Sequence, residues 1–140
     1  MKATSDDEAG ELAGQFLAQR NRRRNEQGLE PALTNYERRL EWLEGLAKYV
    51  ELAIWREASS TPGYEPLPAM LADPYFKSYA TFDQHWSQEM GQMKRQATRD
   101  GEVRFYYTGM AQGVLLDRLM PDWKTRILVE DVWLEDLLAQ

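Results

Sequence analysis

Glu44 is the acidic residue whose surroundings in the sequence point most directly to chemistry. It precedes Gly45 inside the longest helical pattern of the chain, one residue from Leu43 of an apolar stripe. A carboxylate that borders a buried stripe needs a cation or a hydrogen-bond donor, because burying an unpaired charge is costly. Gly45 costs a helix interior about 1 kcal/mol relative to alanine. A glycine at this position therefore predicts that another backbone, or a ligand, comes close to this turn.

A second segment, near Tyr106, shares this glycine signature. Tyr106, Gly109 and Gly113 fall on one helix face, because they are three and four residues apart. Two glycines on one face predict a close crossing with another helix, and Gly45 is the expected partner. Such a crossing would bring the Tyr106 hydroxyl near Glu44.

Each of these residues also has a plainer interpretation. Tyr106 and its neighbour Tyr107 could be packing residues with their hydroxyls at the surface. Glu44 could pair with Lys48 at i+4, a contact worth about 0.3–0.5 kcal/mol on an exposed helix.

The helix that positions Glu44 is predicted over residues 31–58. Pro31 suits a first helical turn, and the segment 59–63 (Ser-Ser-Thr-Pro-Gly) ends the pattern. Its apolar residues recur in steps of three and four, which predicts one buried stripe. The stripe consists of Tyr36, Leu40, Leu43, Ala47, Val50 and Ile54.

The other elements are also predicted to be helical. Helices are expected at about 5–28, 81–97, 102–119, 122–128 and 131–138. Residues 59–73 are expected to form a proline-rich loop with a short helical turn near 68–71, and residues 98–101 are expected to form a turn. No β-branched residues alternate over a usable length, so no strand is expected. The predicted fold is all-α: one domain over 1–140, an irregular helical bundle built around the central helix and crossed by the helix at 102–119.

Two basic features have ordinary interpretations. The arginine run Arg20, Arg22, Arg23 and Arg24 is expected to be a solvated helix end that opposes the helix dipole, rather than a phosphate or nucleic-acid patch. The single histidine, His85, is expected to be a structural hydrogen-bonding residue, because nothing beside it has metal-ligand spacing.

Composition excludes several classes of function. The chain has 140 residues, a formal net charge of −6, 43% hydrophobic residues and no cysteine. That length can bury a core, and the negative charge argues against nucleic acid as a partner. Disulfides and thiolate metal sites are excluded. No apolar run approaches the length of a membrane span, so no membrane partner is expected. The first residues are too polar for a signal peptide, and the sequence does not predict the cellular compartment.

Residues 42–51 read Trp-Leu-Glu-Gly-Leu-Ala-Lys-Tyr-Val-Glu. This segment resembles the glutamate helix of the gluzincin zinc metallopeptidases, most closely their aminopeptidase branch. The resemblance implies that Glu44 is the third protein ligand to zinc. It also implies that Tyr106, with Tyr107 as second candidate, stabilises the oxyanion during peptide hydrolysis, since residues 106–109 resemble the family's Tyr-x-x-Gly segment. A neutral phenol aimed at developing negative charge is suited to that role.

The family's zinc site also requires a His-Glu-x-x-His helix. This chain contains no such motif, so zinc is implied for the intact family and none is expected for this chain alone. The resemblance implies the C-terminal helical part of a longer metallopeptidase-like chain, inactive by itself, with peptide substrates when intact. The alternative is a non-catalytic helical binding or scaffold protein that has lost the metal site. The isolated chain is expected to expose a groove where the missing N-terminal helix packs, which would favour self-association or docking of that missing segment.

Overall fold

The computed structural model describes residues 4–96, 99 and 101–140, and within this part of the chain the fold is all helical, as predicted. The α-helices are α1 (Asp6–Glu26), α2 (Pro31–Leu40), α3 (Leu46–Ser60), α4 (Pro68–Leu71), α5 (Phe82–Gln96), α6 (Val103–Leu119), α7 (Trp123–Val129) and α8 (Leu134–Leu138). A 3₁₀ turn, Tyr79–Thr81, precedes α5. Residues 97, 98 and 100, which belong to the predicted end of the fifth helix and the turn after it, lie outside the described residues.

One long helix organises the bundle. Between α2 and α3 the chain forms a π-helical turn, Glu41–Gly45, so that the three segments run on as a single central helix. A π turn contains one residue more than an α-helix would use, and it rotates the residues that follow by roughly a quarter of a turn. The turn lies where α6 crosses the central helix.

The crossing is a backbone-to-backbone contact between glycines, which confirms the predicted packing. A Cβ atom added at Gly109 would lie 2.4 Å from the Glu41 carbonyl oxygen and 2.7 Å from Gly45 Cα. One turn later, a Cβ atom at Gly113 would lie 2.9 Å from Cδ2 of the Tyr49 ring. The two helices approach this closely only because these positions have no side chain.

The prediction of a buried apolar stripe on the central helix is wrong. Tyr36, Leu43, Val50 and Ile54 are 46–54% exposed, Ala47 is also exposed, and Leu40 is half-buried. The central helix buries a different face, formed by Glu37, Glu41, Gly45, Tyr49 and Leu52. Its first half is acidic rather than apolar, because arginines of α1 lie against it.

The interpretation of the arginine run as a solvated helix end is also wrong for Arg20 and Arg24, although Arg22 is exposed as expected. Arg20 and Arg24 are only 7% and 8% exposed. Arg20 donates to both oxygens of Glu41, with Nη1 2.7 Å from Oε2, and its Nη1 also lies 2.7 Å from Oε2 of Glu135 in α8. Arg24 donates to Glu135 from Nη1 at 2.9 Å. These residues therefore join α1, the central helix and α8 through buried ion pairs.

The same network continues to the start of the central helix. Glu37, which is 4% exposed, accepts hydrogen bonds from Arg23 at 2.6 Å and from Arg24 at 3.3 Å. Arg38 of the central helix reaches across to Glu135. A buried carboxylate with two guanidinium partners has its desolvation offset by charge-assisted hydrogen bonds. The network fixes the rotation of the central helix about its own axis.

An apolar core packs the central helix against α6, α7 and α8. It consists of Tyr49, Leu52, Met110, Leu116, Trp123, Ile127, Leu134 and Leu137, with Trp86, Met90 and Met93 of α5 packed against it. Asp117 ties part of this core together, because it accepts hydrogen bonds from the Tyr49 hydroxyl at 2.8 Å and from Trp123 Nε1 at 3.1 Å.

We predict that Gly109→Ala destabilises the protein by about 1–3 kcal/mol or more, because the new methyl group overlaps the central helix backbone. Gly14→Ala is the matched control, since nothing lies within 4 Å of a Cβ atom at that helical position. The control is expected to stabilise the protein by up to about 1 kcal/mol through helix propensity. Urea unfolding followed by tryptophan fluorescence measures both variants. Equal effects of the two substitutions would contradict the close crossing.

We also predict that Glu135→Gln destabilises the protein at neutral pH by about 3–5 kcal/mol, because it leaves buried guanidinium groups without their counter-charge. Burial raises the pKa of Glu135, but hydrogen bonds from Arg24 and Arg20 outweigh it and lower the pKa from 4.5 to about 2. A lowered carboxylate pKa stabilises the fold above the unfolded-state pKa and loses that effect as the pH falls.

The free energy of unfolding of the native sequence should therefore fall between about pH 4.5 and pH 2. Glu135→Gln should have a shallower dependence in that window. Glu65→Gln, at an exposed position, is the control and should behave like the native sequence. A Glu135→Gln variant as stable as this control would rule out a stabilising role for the network.

Candidate functional site

The structure brings Glu44 and Tyr106 together. Glu44 belongs to the π turn and Tyr106 to the first turns of α6, directly before the glycine crossing. The interaction of the Tyr106 hydroxyl with the nearby Glu44 carboxylate is the main cause that raises the pKa of Tyr106. Tyr106 is 37% exposed, so the pair lies at the surface of the bundle.

A second pair of the same kind lies beside the first. The Tyr36 hydroxyl donates to Glu102, and this bond raises the pKa of Tyr36. The charge of Glu102 also contributes to the raised pKa of Tyr106. The site therefore combines two carboxylates with two neutral phenols that stay protonated at neutral pH.

Lys48 is not the partner of Glu44, so the i+4 interpretation is wrong. Its Nζ lies 3.1 Å from carboxylate oxygens of both Glu51 and Glu89. Burial by itself lowers the pKa of Lys48, but the hydrogen bonds to these two acids outweigh it and raise the pKa. The ammonium group that is nearest in sequence to Glu44 is thus held by other acids.

Tyr107, the second candidate, lies on a different side of α6. Its hydroxyl is 3.3 Å from Oε2 of Glu89 in α5, and it is half-buried. Burial, followed by the charge of Glu89, raises the pKa of Tyr107. The structure therefore separates the two tyrosines and gives only Tyr106 a contact with Glu44.

His85 has a packing role. Its ring stacks on Trp55 with the centroids 4.2 Å apart. Nε2 lies 3.5 Å from Oε1 of Glu51 and has no hydrogen-bond partner among the described residues. The expected structural hydrogen bond is therefore not made at this nitrogen.

Glu41 holds the π turn in place and was not predicted from the sequence as a functional residue. Glu41 is 2% exposed and accepts hydrogen bonds from Thr108 at 2.5 Å and from Gln112 at 2.9 Å, in addition to those from Arg20. A signal was present, because Glu37 and Glu41 on one helix, and Arg20 and Arg24 on another, are each four residues apart and face the same way. Glu41 anchors the turn that carries Glu44 to α6.

Two negative findings apply to the part of the chain that the structure describes. It contains no group of three or more histidine, cysteine, aspartate or glutamate side chains with the geometry to hold a metal ion. Within the same residues, no helix has the length and apolar character needed to cross a membrane.

Comparison of the chain with models of known protein families, with curated proteins and with solved structures finds no match.

We predict that Glu44→Gln lowers the pKa of Tyr106 toward the ordinary value for tyrosine, because it removes the carboxylate whose hydrogen bond and charge favour the protonated phenol. Carbon-13 NMR of labelled tyrosine Cζ atoms over a pH titration measures this. Tyr36, whose raised pKa depends on Glu102, is the internal control and should not change. An unchanged Tyr106 titration would mean that the two side chains are apart in solution.

Proposed function

We propose that this chain is the C-terminal helical part of a gluzincin-like zinc metallopeptidase, in which Glu44 is a zinc ligand and Tyr106 donates a hydrogen bond to the oxyanion during peptide hydrolysis. The observation that supports this proposal most is the contact between Glu44 and Tyr106 at the π turn. The two residues were selected from separate segments, 62 positions apart in the sequence. π turns inside α-helices also occur frequently at functional sites.

Zinc does not fit the described residues by themselves. A catalytic zinc ion is normally held by three protein ligands, and here Glu44 is the single candidate. The proposal therefore assigns both histidines and the general base to a further segment of polypeptide. This chain is assigned no step of the reaction beyond holding Glu44 and presenting the Tyr106 hydroxyl.

The surroundings of Glu44 suit that limited role. Because Lys48 is held by Glu51 and Glu89, it does not pair with Glu44, whose neighbour is the neutral phenol of Tyr106. Tyr106 has a raised pKa and so carries its proton at neutral pH, as a donor to an oxyanion must. The π turn that positions Glu44 is fixed from behind by buried Glu41.

A second candidate function is supported by a specific observation. Five apolar residues on the solvent side of the central helix are exposed, which is typical of a surface that binds another protein segment. On this alternative the chain is a non-catalytic helical binding or scaffold protein, and Glu44 and Tyr106 are remnants of a lost metal site.

The coding sequence upstream of Met1 distinguishes the two candidates. We expect it to continue in frame and to encode His-Glu-x-x-His, and the longer protein is expected to retain one zinc ion per chain after dialysis and to hydrolyse peptides. A stop codon with no such motif upstream would reject the metallopeptidase proposal in favour of the alternative.

Variants of the longer protein test the assigned residues. Glu44→Gln should abolish zinc retention, whereas the matched control Glu57→Gln, on the exposed side of α3, should retain it. Tyr106→Phe should lower kcat by about 100-fold with little change in KM, because a donor to the oxyanion acts mainly in the transition state. Tyr75→Phe, at an 88% exposed position, is its control. Zinc retained in Glu44→Gln would contradict the ligand assignment.

A further inference from the structure

The solvent side of the central helix has an apolar surface that the rest of the described chain leaves about half exposed. We define this open face as Tyr36, Leu43, Ala47, Val50 and Ile54, which are all exposed. The four larger side chains are 46–54% exposed. The open face spans about 27 Å, at a rise of about 1.5 Å per residue. That length matches a partner helix of about five turns.

The exposed charge along the open face is predominantly acidic. Glu44 and Glu102 lie beside it: Glu102 accepts a hydrogen bond from the Tyr36 hydroxyl, and Glu44 lies near the Tyr106 hydroxyl. Glu51 and Glu57 are also exposed along α3, where Glu51 binds the Lys48 ammonium and Glu57, which is 73% exposed, lies 4.0 Å from Arg56.

Basic side chains offset this charge only in part. Lys48 is turned toward Glu89, with 15% of its side chain exposed. Arg39 is the exposed cation within the open face, and Arg56 lies near its end. The whole chain has a net charge of −6, so its long-range field has the same sign as the acids beside the open face.

We propose that the open face is the docking surface for a cationic amphipathic helix of a partner polypeptide. Its apolar residues, spaced three and four apart, would cover the open face, and its flanking lysines or arginines would lie against Glu44 and Glu102. This is the helix-in-groove mode of recognition, in which apolar anchors give affinity and flanking charges give selectivity.

The acidic charge beside the open face argues against two other binding partners for it. A second copy of this chain would bring two acidic surfaces together, at a cost that grows at low salt. An anionic lipid surface would be repelled in the same way. Docking of a helix on the open face does not require the metal site of the proposed function. A chain that docks the helix and whose longer form binds no zinc would fit the second candidate function.

The test uses three fluorescein-labelled synthetic peptides of 20 residues. The first has leucines at helical spacing on a lysine background, the second has the same leucines on a glutamate background, and the third has the composition of the first in scrambled order. We expect the first to bind the native chain with a micromolar Kd by fluorescence anisotropy, and the other two to bind at least about tenfold more weakly. Equal binding of the first and second peptides, or no binding of either, would overturn the proposal.

Two matched substitutions locate the binding surface. Ala47→Lys places a cation in the middle of the open face and should weaken binding of the first peptide by about tenfold or more. Ala18→Lys makes the same change at an exposed position of α1 and should leave binding unchanged. Both positions are exposed, so both variants should fold, and circular dichroism with thermal unfolding checks this. Equal affinities of the two variants would overturn the proposal.

Sedimentation velocity and vesicle flotation test the other occupants. We expect the native chain to remain monomeric across the micromolar range and to stay unbound to phosphatidylcholine and phosphatidylserine vesicles. A dimer that Ala47→Lys disrupts would assign the open face to a second copy and overturn the proposal. Vesicle binding that the same substitution abolishes would overturn it in favour of a lipid surface.

Discussion

The buried pairing of Arg20 with Glu41 and Glu135 is the interaction on which the rest of this structure depends. It joins α1 to carboxylates that are 21 and 115 residues away in the sequence. Each of these charged groups would be costly to bury alone, so the three helices must meet in an arrangement that satisfies all of them at once. Glu41 is also held by Thr108 and Gln112 of α6. The network therefore fixes the rotation of the central helix and the side on which Glu44 emerges.

The helix crossing could be predicted from the sequence because its cause is steric and local. Gly45, Gly109 and Gly113 have no conformational role within their own helices, and a close backbone approach was the remaining reason for them. The structure confirms that reason at the contact of Gly109 with the Glu41 carbonyl and Gly45 Cα. The same argument accounts for the contact of Tyr106 with Glu44, since Tyr106 lies one turn before Gly109 on the glycine side of α6.

The buried face of the central helix could not be predicted in the same way. Hydrophobic periodicity assigns Glu37 and Glu41 to solvent, because it scores each residue alone and takes no account of a guanidinium supplied by another helix. The exposed side chains Leu43, Val50 and Ile54 were assigned to the core for the same reason. The π turn causes a second error in the predicted face. Its extra residue rotates the positions after Gly45, so a period of 3.6 residues that fits before Glu41 assigns later residues to the wrong side of the helix.

The state of Glu44 depends on contacts that are distant in sequence. Local rules pair it with Lys48, but Glu89 of α5, 41 residues further along, holds the Lys48 ammonium together with Glu51. A helix pair at i+4 is worth only about 0.3–0.5 kcal/mol, so two carboxylates on a partly buried ammonium readily outcompete it. Glu44 is left with a neutral phenol for a partner, on a turn made rigid by Glu41 behind it. A carboxylate that is not paired with Lys48 and lies beside a neutral phenol is the feature on which both the zinc-ligand proposal and the helix-docking proposal depend.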